Sequence, residues 1–383
     1  MLSSEGCQER RRRLRDALIG EEFAEATIVL FDPRSLARYG NYFPSAFVFR
    51  TQDAAAALTI APDGRTTLIA DSNVRALAES ACVDVRVLPV WYDGQHSAPR
   101  RREFWVENLL EQVSGAMIAT EPSYAPSAFE WAVAERGDYA ALDLEPLLVD
   151  ERRAKDPDEV AAIEAACRAA EAGFAAARRE FRPGLSELEC YLIVQNACMK
   201  AAGQQALVYG DFVTGPRCEA GGGMPGDRRI AAGDLALLDF SVALGGYRGD
   251  FAATFAVGGP PSDGQRRLHA ECLKAMAAGE ALLRPGTACR DIDAACKAAV
   301  AADLRAAYKS HSGHGLGLGH PEPPYLVAES SDDLQLGDVV TLEPGLFVPG
   351  VGGVRIEHNY LIEADGFRKL SRHRLALDAD GTA

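Results

Sequence analysis

Two short signatures recur in this chain at nearly one spacing. Arg182-Pro183-Gly184 returns as Arg284-Pro285-Gly286, 102 residues later. Gly233-Asp234-Leu235-Ala236-Leu237-Leu238-Asp239 returns as Gly337-Asp338-Val339-Val340-Thr341-Leu342-Glu343, 104 residues later. One repeated tripeptide is chance; two repeats at almost one offset mark an internal duplication. In each copy an acid stands six residues after the glycine, inside an apolar run of strand character. The expected architecture is two α/β halves related by a pseudo-two-fold, each giving a β-hairpin to a shared central sheet.

The duplicated part leaves a long amino-terminal stretch to be explained, and 383 residues exceed one ordinary core, so two domains are expected. The boundary is expected near Asp150–Asp158, giving domains 1–152 and 153–383. There Asp156-Pro157-Asp158-Glu159 combines acids with a proline at a helix start, and an Ala-rich helix follows. The first domain alternates strand-like and helical runs. Strands are expected at Thr27–Phe31, Ala46–Arg50, Val83–Val90 and Gly115–Thr120, and on either side of the Pro62-Asp63-Gly64 turn. No catalytic constellation shows there, and the lone His96 reads as an ordinary surface or core residue.

Charge and cysteine usage narrow the function classes. A net charge of −15 disfavours nucleic acid and anionic membranes as partners. No apolar run reaches the roughly 20 residues of a membrane span. Arg10 to Arg13 lie among Glu5, Glu9 and Asp16 without an apolar h-region, which reads as a solvated helix face rather than a secretory signal. The nine cysteines are odd in number, scattered and without C-x-x-C spacing, as expected of reduced core thiols in a cytoplasmic protein.

Chemistry concentrates in the second domain. Each copy carries two acids on one hairpin: Asp239 and Asp250 around Gly245-Gly246, then Glu343 and Glu357 around Pro349–Gly353. All four interrupt strongly apolar strands, where an ionised carboxylate is costly unless paired or bound to a cation. Brought together they would repel, and two divalent cations would neutralise them. His314, in Gly313-His314-Gly315, adds an imidazole. Four oxygen donors and one nitrogen suit Mn(II), Co(II), Fe(II) or Zn(II) rather than a soft metal. Any one of these acids alone reads as well as an ordinary edge-strand carboxylate; five residues in their flanking motifs together do not. Asp239, Asp250, His314, Glu343 and Glu357 are therefore the expected ligands of a two-metal site.

The order Asp, Asp, His, Glu, Glu, with Glu343-Pro344-Gly345 and Arg355-Ile356-Glu357, resembles the pita-bread metallohydrolases: methionine aminopeptidase, prolidase, aminopeptidase P and their metal-free creatinase relatives. The Arg-rich helix, strand and Ser35-Leu36-Ala37-Arg38-Tyr39 stretch resembles the amino-terminal domain of the longer branch. The resemblance implies an α/β protein: a creatinase-like amino-terminal α/β domain, then a pita-bread catalytic domain of duplicated α+β halves. It also implies a homodimer acting on a small peptide or other small molecule. A metal-bridging hydroxide would attack an amide carbonyl, with Glu343 handling protons, Arg355 orienting carboxylates and His311 beside the metals.

Two departures bear on the substrate. The histidine that such peptidases carry before the first acid strand falls in Gly221-Gly222-Gly223, and their histidine after Gly-His-Gly is displaced by one place to His320. Ala253 also stands where an arginine is usual. On this reading His320 serves catalysis and substrate binding, Arg217 is a candidate partner for a substrate carboxylate, and the glycine loop leaves room for a bulkier substrate. The leading expectation is an Xaa-Pro dipeptidase or aminopeptidase P activity. The alternative is a lyase or amidohydrolase acting on a small carboxylated metabolite, and a third is an idle metal-binding dimer.

Overall fold

The structure, a computed structural model, describes residues 1–18, 23–43, 56–89, 101–114, 117–136 and 140–378. The expected strand Ala46–Arg50 and His96 lie outside the described residues. The chain divides into two compact units, Met1–Arg152 and Arg153–Ala383. No helix among the described residues is long and apolar enough to cross a membrane. All nine cysteines are free thiols, eight of them buried.

The first unit is built on a six-stranded mixed sheet of β1 (Thr27–Leu30), β2 (Ala56–Ile60), β3 (Thr66–Ala70), β4 (Val85–Val87), β5 (Met117–Thr120) and β6 (Ala140–Asp143). Its order is β4-β3-β2-β1-β5-β6. Successive strand residues face opposite ways, so Ile28 and Leu68 enter one core while Val29 and Ile69 enter another. The first helix, α1 (Ser4–Asp16), corrects the picture of an Arg-rich solvated face. Arg12 is exposed, but Arg10 and Arg11 are buried. Arg10 Nε donates to the Arg38 carbonyl at 2.9 Å, and Arg11 Nη1 to those of Tyr39 and Cys82 at 2.6 and 2.7 Å. The carbonyls at the end of α2 (Pro33–Gly40) lack helical partners, and guanidinium donors supply them. Helices α3 (Arg75–Glu79), α4 (Arg101–Leu110), α5 (Ser127–Arg136) and α6 (Glu145–Glu151) follow along the unit.

In the second unit the duplication is visible residue by residue. The first copy runs through α7 (Pro157–Glu180), α8 (Glu187–Ala202), β7 (Leu207–Thr214), β8 (Asp234–Leu244) and β9 (Tyr247–Val257). The second opens with α9 (Asp263–Glu280) and α10 (Cys289–Ala299). Each Arg-Pro-Gly links a helix pair, and Gly184 and Gly286 both take left-handed φ, +94° and +82°. Gly184 donates its N–H to Ile230, as Gly286 does to Leu334. Gly233 and Gly337, at φ +86° and +88°, open β8 and the strand β12 (Val339–Leu342). These conformations cost a residue with a Cβ more than they cost glycine, which is why both signatures keep their glycines.

The two hairpins then diverge. β8 and β9 form one long antiparallel hairpin turning at Gly245-Gly246. In the second copy the strand expected from Val339 to Val348 is broken. β12 stops before Glu343-Pro344, and β13 (Gly345–Val348) pairs with β14 (Gly352–Arg355) as a separate ribbon. β15 (His358–Glu363) then rejoins β12. Pro344 has no N–H for a ladder, and the N–H groups of Glu343 and Glu357 turn to the carbonyls of Ser312 and Ala252. The expected shared sheet is accordingly three separate ones. β7-β8-β9 forms one, β13-β14 another, and β10 (Gly313–Gly315), β11 (Glu322–Leu326), β12, β15 and β16 (Gly366–Lys369) a five-stranded third. The hairpins are joined by Glu357 to Ala252 and by Thr254 Oγ1, which donates to the Arg355 carbonyl at 3.0 Å.

Candidate metal centre

Strand register decides which side chains meet. In the antiparallel ladders Asp239 lies opposite Asp211 and Ser241 opposite Asp250. Directly opposed residues share a face, so Tyr209, Asp211, Asp239, Ser241 and Asp250 stand on one side of β7-β8-β9. The other side carries Phe212, Phe240 and Phe251 into the apolar core. Glu343 and Glu357 reach the acidic face from the two breaks flanking β13 and β14. His314 arrives on β10, beside β12.

The five expected ligands come together. Single ligand atoms of Asp250, His314 and His320 lie within 4.8 Å of one another, as do those of His314, Glu343 and Glu357, and those of Asp239, Asp250 and Glu357. Asp250, Glu343, His314 and Glu357 are buried, Glu357 without exposed surface. His314 Nδ1 donates to the Gly315 carbonyl at 2.9 Å, which fixes the tautomer and leaves Nε2 toward the acids, 3.2 Å from Glu343 and 3.6 Å from Asp250. Ser241 Oγ donates to Asp250 at 3.0 Å, and Thr341 Oγ1 to Glu343 at 3.2 Å. Asn359 clasps the Asp250 backbone from both sides.

Electrostatics separate the acids. Burial alone would raise Asp250, but hydrogen bonds and charge from His314 and His320 hold it well below the usual carboxylate range. Burial disfavours the His314 imidazolium, yet Asp250 and Glu343 outweigh it and lift the ring to about 9. Asp239 is pushed up to about 7, first by burial and then by Asp250 and Glu343, although the Arg355 guanidinium pairs with it. Glu357 is raised well above the ordinary value by burial and then by Asp250, Glu343 and Asp239. Neither of its carboxylate oxygens has a hydrogen-bond partner among the described residues.

The remaining expected residues fall differently. His311 Nδ1 stands 3.3 Å from Glu343, with its ring 42% exposed, and Arg355 closes on Asp239. His320 reaches the cluster itself: its Nε2 meets Asp250 beside His314, a ligand-like position that sequence spacing does not reveal. Arg217 does not join them. It pairs with the buried carboxylate of Glu187 and donates to the Met224 carbonyl at 3.0 Å, so its charge is already engaged. The glycine loop is not open space either. A Cβ on Gly222 would overlap the Asp211 carboxylate, and one on Gly223 would press on Arg217 and Val213. Asp211 is the residue that sequence reasoning missed; its signal, an acid in a strand running beside Asp239, emerges only once the register is known.

The chain's similarities agree with this geometry. A family model described as metallopeptidase family M24 matches residues 161–364. An uncharacterized peptidase of Bacillus subtilis is 35% identical over 228 residues, 57% of this chain and 62% of the relative. The Xaa-Pro dipeptidase of Pyrococcus furiosus is 30% identical over 235 residues, 60% of this chain and 66% of the relative. The chain thus spans just under two thirds of the length of these relatives. In fold, the crystal structure of an X-Pro aminopeptidase from Thermotoga maritima superposes with a TM-score of 0.81 at 19% identity, covering 96% of this chain and 99% of that one.

Proposed function

The chain belongs to metallopeptidase family M24, and on that premise we propose that it is a metal-dependent peptidase of the Xaa-Pro type. Two divalent cations would be held by Asp239, Asp250, His314, Glu343 and Glu357. Glu357 carries the reading. A carboxylate with no exposed surface, no hydrogen-bond partner and three acids for neighbours fits a place where a cation supplies the compensating charge. The carboxylate-rich donor set with one imidazole suits Mn(II), Co(II), Fe(II) or Zn(II). Such cations would polarise an amide carbonyl and lower the pKa of a water to near neutrality.

The protein's own groups supply the rest. Glu343 holds and passes the proton at Oε1, with half-exposed His311 as its route to solvent. Arg355 keeps the Asp239 carboxylate turned into the site. His320, a quarter exposed, meets Asp250 through Nε2 and would turn that N–H to the developing oxyanion once cations hold Asp250. The homodimer and the cytoplasmic location are further proposals that rest on the resemblance.

The test is a panel of Xaa-Pro dipeptides and amino-terminal Xaa-Pro peptides with the Mn(II)-loaded chain. We expect close to two cations per chain and cleavage that chelation abolishes. Without a histidine at Gly222 the rate should lie about 10²–10³ below that of a site with a full set of oxyanion donors. Two bound cations with no amide cleaved across the panel would refute the peptidase reading. The second reading, a lyase or amidohydrolase on the same scaffold, is favoured by the glycines at 221–223, which leave the position before the first acid strand without a histidine.

The two neighbouring histidines should separate. Replacing His314 with Ala should strip cation from the site. His311→Ala should keep most of it and lower turnover, because His311 touches Glu343 from the solvent side. Elemental analysis beside steady-state rates checks this, and the reverse ranking would overturn both assignments.

A further inference from the structure

We propose that Asp211 is a specificity-determining carboxylate that recognises a positively charged nitrogen of the substrate, the α-amino group next to the scissile amide; this deepens the peptidase reading and rests on it. The placement comes from register. Asp211 on β7 lies directly across from Asp239 on β8, on the same face of the sheet, where opposed Cβ atoms are about 4.5–5.5 Å apart. It is nevertheless outside all three groups whose atoms converge as candidate cation ligands. It stands beside the metal centre without belonging to it.

The loop is shaped around this acid. The Gly223 carbonyl accepts from Phe212 N at 3.0 Å, which ties the loop to β7 beside Asp211. Gly222 between them leaves no space for a side chain, because its Cβ direction is filled by that same carboxylate. The glycine triplet is therefore a cradle for an acid rather than a gap. Gly222 has an ordinary φ, so the need for glycine here is steric and not conformational.

Among the described residues no lysine, arginine or histidine side chain meets the charge of that acid with an ion pair. The nearest cationic influence, Arg355, is already closed on Asp239. A half-buried carboxylate of this kind gains most from a cation that arrives from outside. Tyr209 stands two residues earlier on the same face, its hydroxyl accepting from Arg248 at 2.6 Å and its ring edge-on to His320 with centroids 6.5 Å apart. β7 thus offers an aromatic ring and then a carboxylate alongside that histidine. A ligand with its carbonyl at the metal centre and an ammonium one carbon away fits this arrangement. A carboxylated group in the same place would meet like charge.

Equilibrium binding tests this apart from catalysis. The probes are a non-cleavable ketomethylene analogue of glycyl-proline and its N-acetylated form, titrated calorimetrically into the cation-loaded full-length chain. The free amine should bind roughly 10–100-fold more tightly than the acetylated form. Asp211→Asn should erase that preference while leaving the acetylated form within about twofold of its wild-type affinity. Gly222→Ala, which crowds the carboxylate, should erase it too, and should have no further effect in an Asp211→Ala background. Equal affinities for the two probes in the wild type would overturn the proposal. So would an Asp211→Asn variant that weakens both probes alike, since a structural role predicts that. Because no turnover is read, failure of the peptide panel would refute the peptidase reading without deciding this comparison.

Discussion

Glu357→Gln should cost the protein its cations and yet leave the cation-free form at least as stable as the parent. The residue sits in the break between β14 and β15, where its N–H is held by Ala252 and its carboxylate by no hydrogen-bond donor among the described residues. Without metal, an ionised Glu357 bears the full burial cost, and Asp250, Glu343 and Asp239 add like-charge repulsion that Arg355 only partly offsets. Glutamine keeps the shape and removes the charge, so the cation-free variant should match the parent or exceed it by about 1 kcal/mol. With metal the ranking reverses. At a hundredfold excess over Kd a bound cation adds about 2.7 kcal/mol to the parent, and a variant lacking a ligand oxygen forfeits most of it. Asp250→Asn is the contrast, because Ser241 and His320 hydrogen-bond to that carboxylate and His314 lies 3.6 Å from it. Its cation-free form should also be destabilised. Melting curves with and without chelator, paired with elemental analysis, read both effects. Full cation content in Glu357→Gln would remove Glu357 from the ligand set.

How far the sequence reaches can be judged at particular residues. The acids of the centre were legible because each stands in an apolar run that gives a charge no other reason to be there. The duplication was legible because Gly184 and Gly286, and again Gly233 and Gly337, need the same left-handed backbone. The break at Pro344 was written in the sequence as a residue without an N–H, but the apolar run around it hides a strand end that only pairing partners define. Arg217 and Glu187 are 30 positions apart, and nothing in either local pattern announces their pairing. Asp211 was invisible for a related reason. Its meaning depends on lying opposite Asp239 rather than one residue along, and a one-residue slip would turn it into the apolar core. Arg10 and Arg11 show the limit of composition: among acids they read as solvated, yet the Arg38 and Tyr39 carbonyls at the end of α2 draw them inward.

The duplication carries a second large expected effect, because its two copies solve one problem at different depths. Asp234 and Asp338 both follow the turn glycine and accept a backbone N–H three residues back, from Ala231 and Gln335 at 2.7 and 2.8 Å. Each also holds an arginine. Arg228 meets Asp234 at 2.8 Å, with side chains 26% and 14% exposed. Arg153 grips Asp338 through two nitrogens, at 2.8 and 3.2 Å, with side chains 6% and 0% exposed. Removing the acid from a buried, forked pair leaves a guanidinium in low dielectric and typically costs about 3–5 kcal/mol. The same change at a partly solvated pair costs about 1 kcal/mol, since water takes over the guanidinium. For a unit of this size the corresponding falls in melting temperature are roughly 6–20 °C for Asp338→Ala and roughly 2–4 °C for Asp234→Ala. The difference also bears on function, because Asp338 immediately precedes β12, the strand that leads to Glu343. Its loss should loosen cation binding as well as lower the melting temperature, whereas Asp234→Ala should leave cation content near two per chain. Equal falls for the two variants would mean that burial does not set the strength of these pairs.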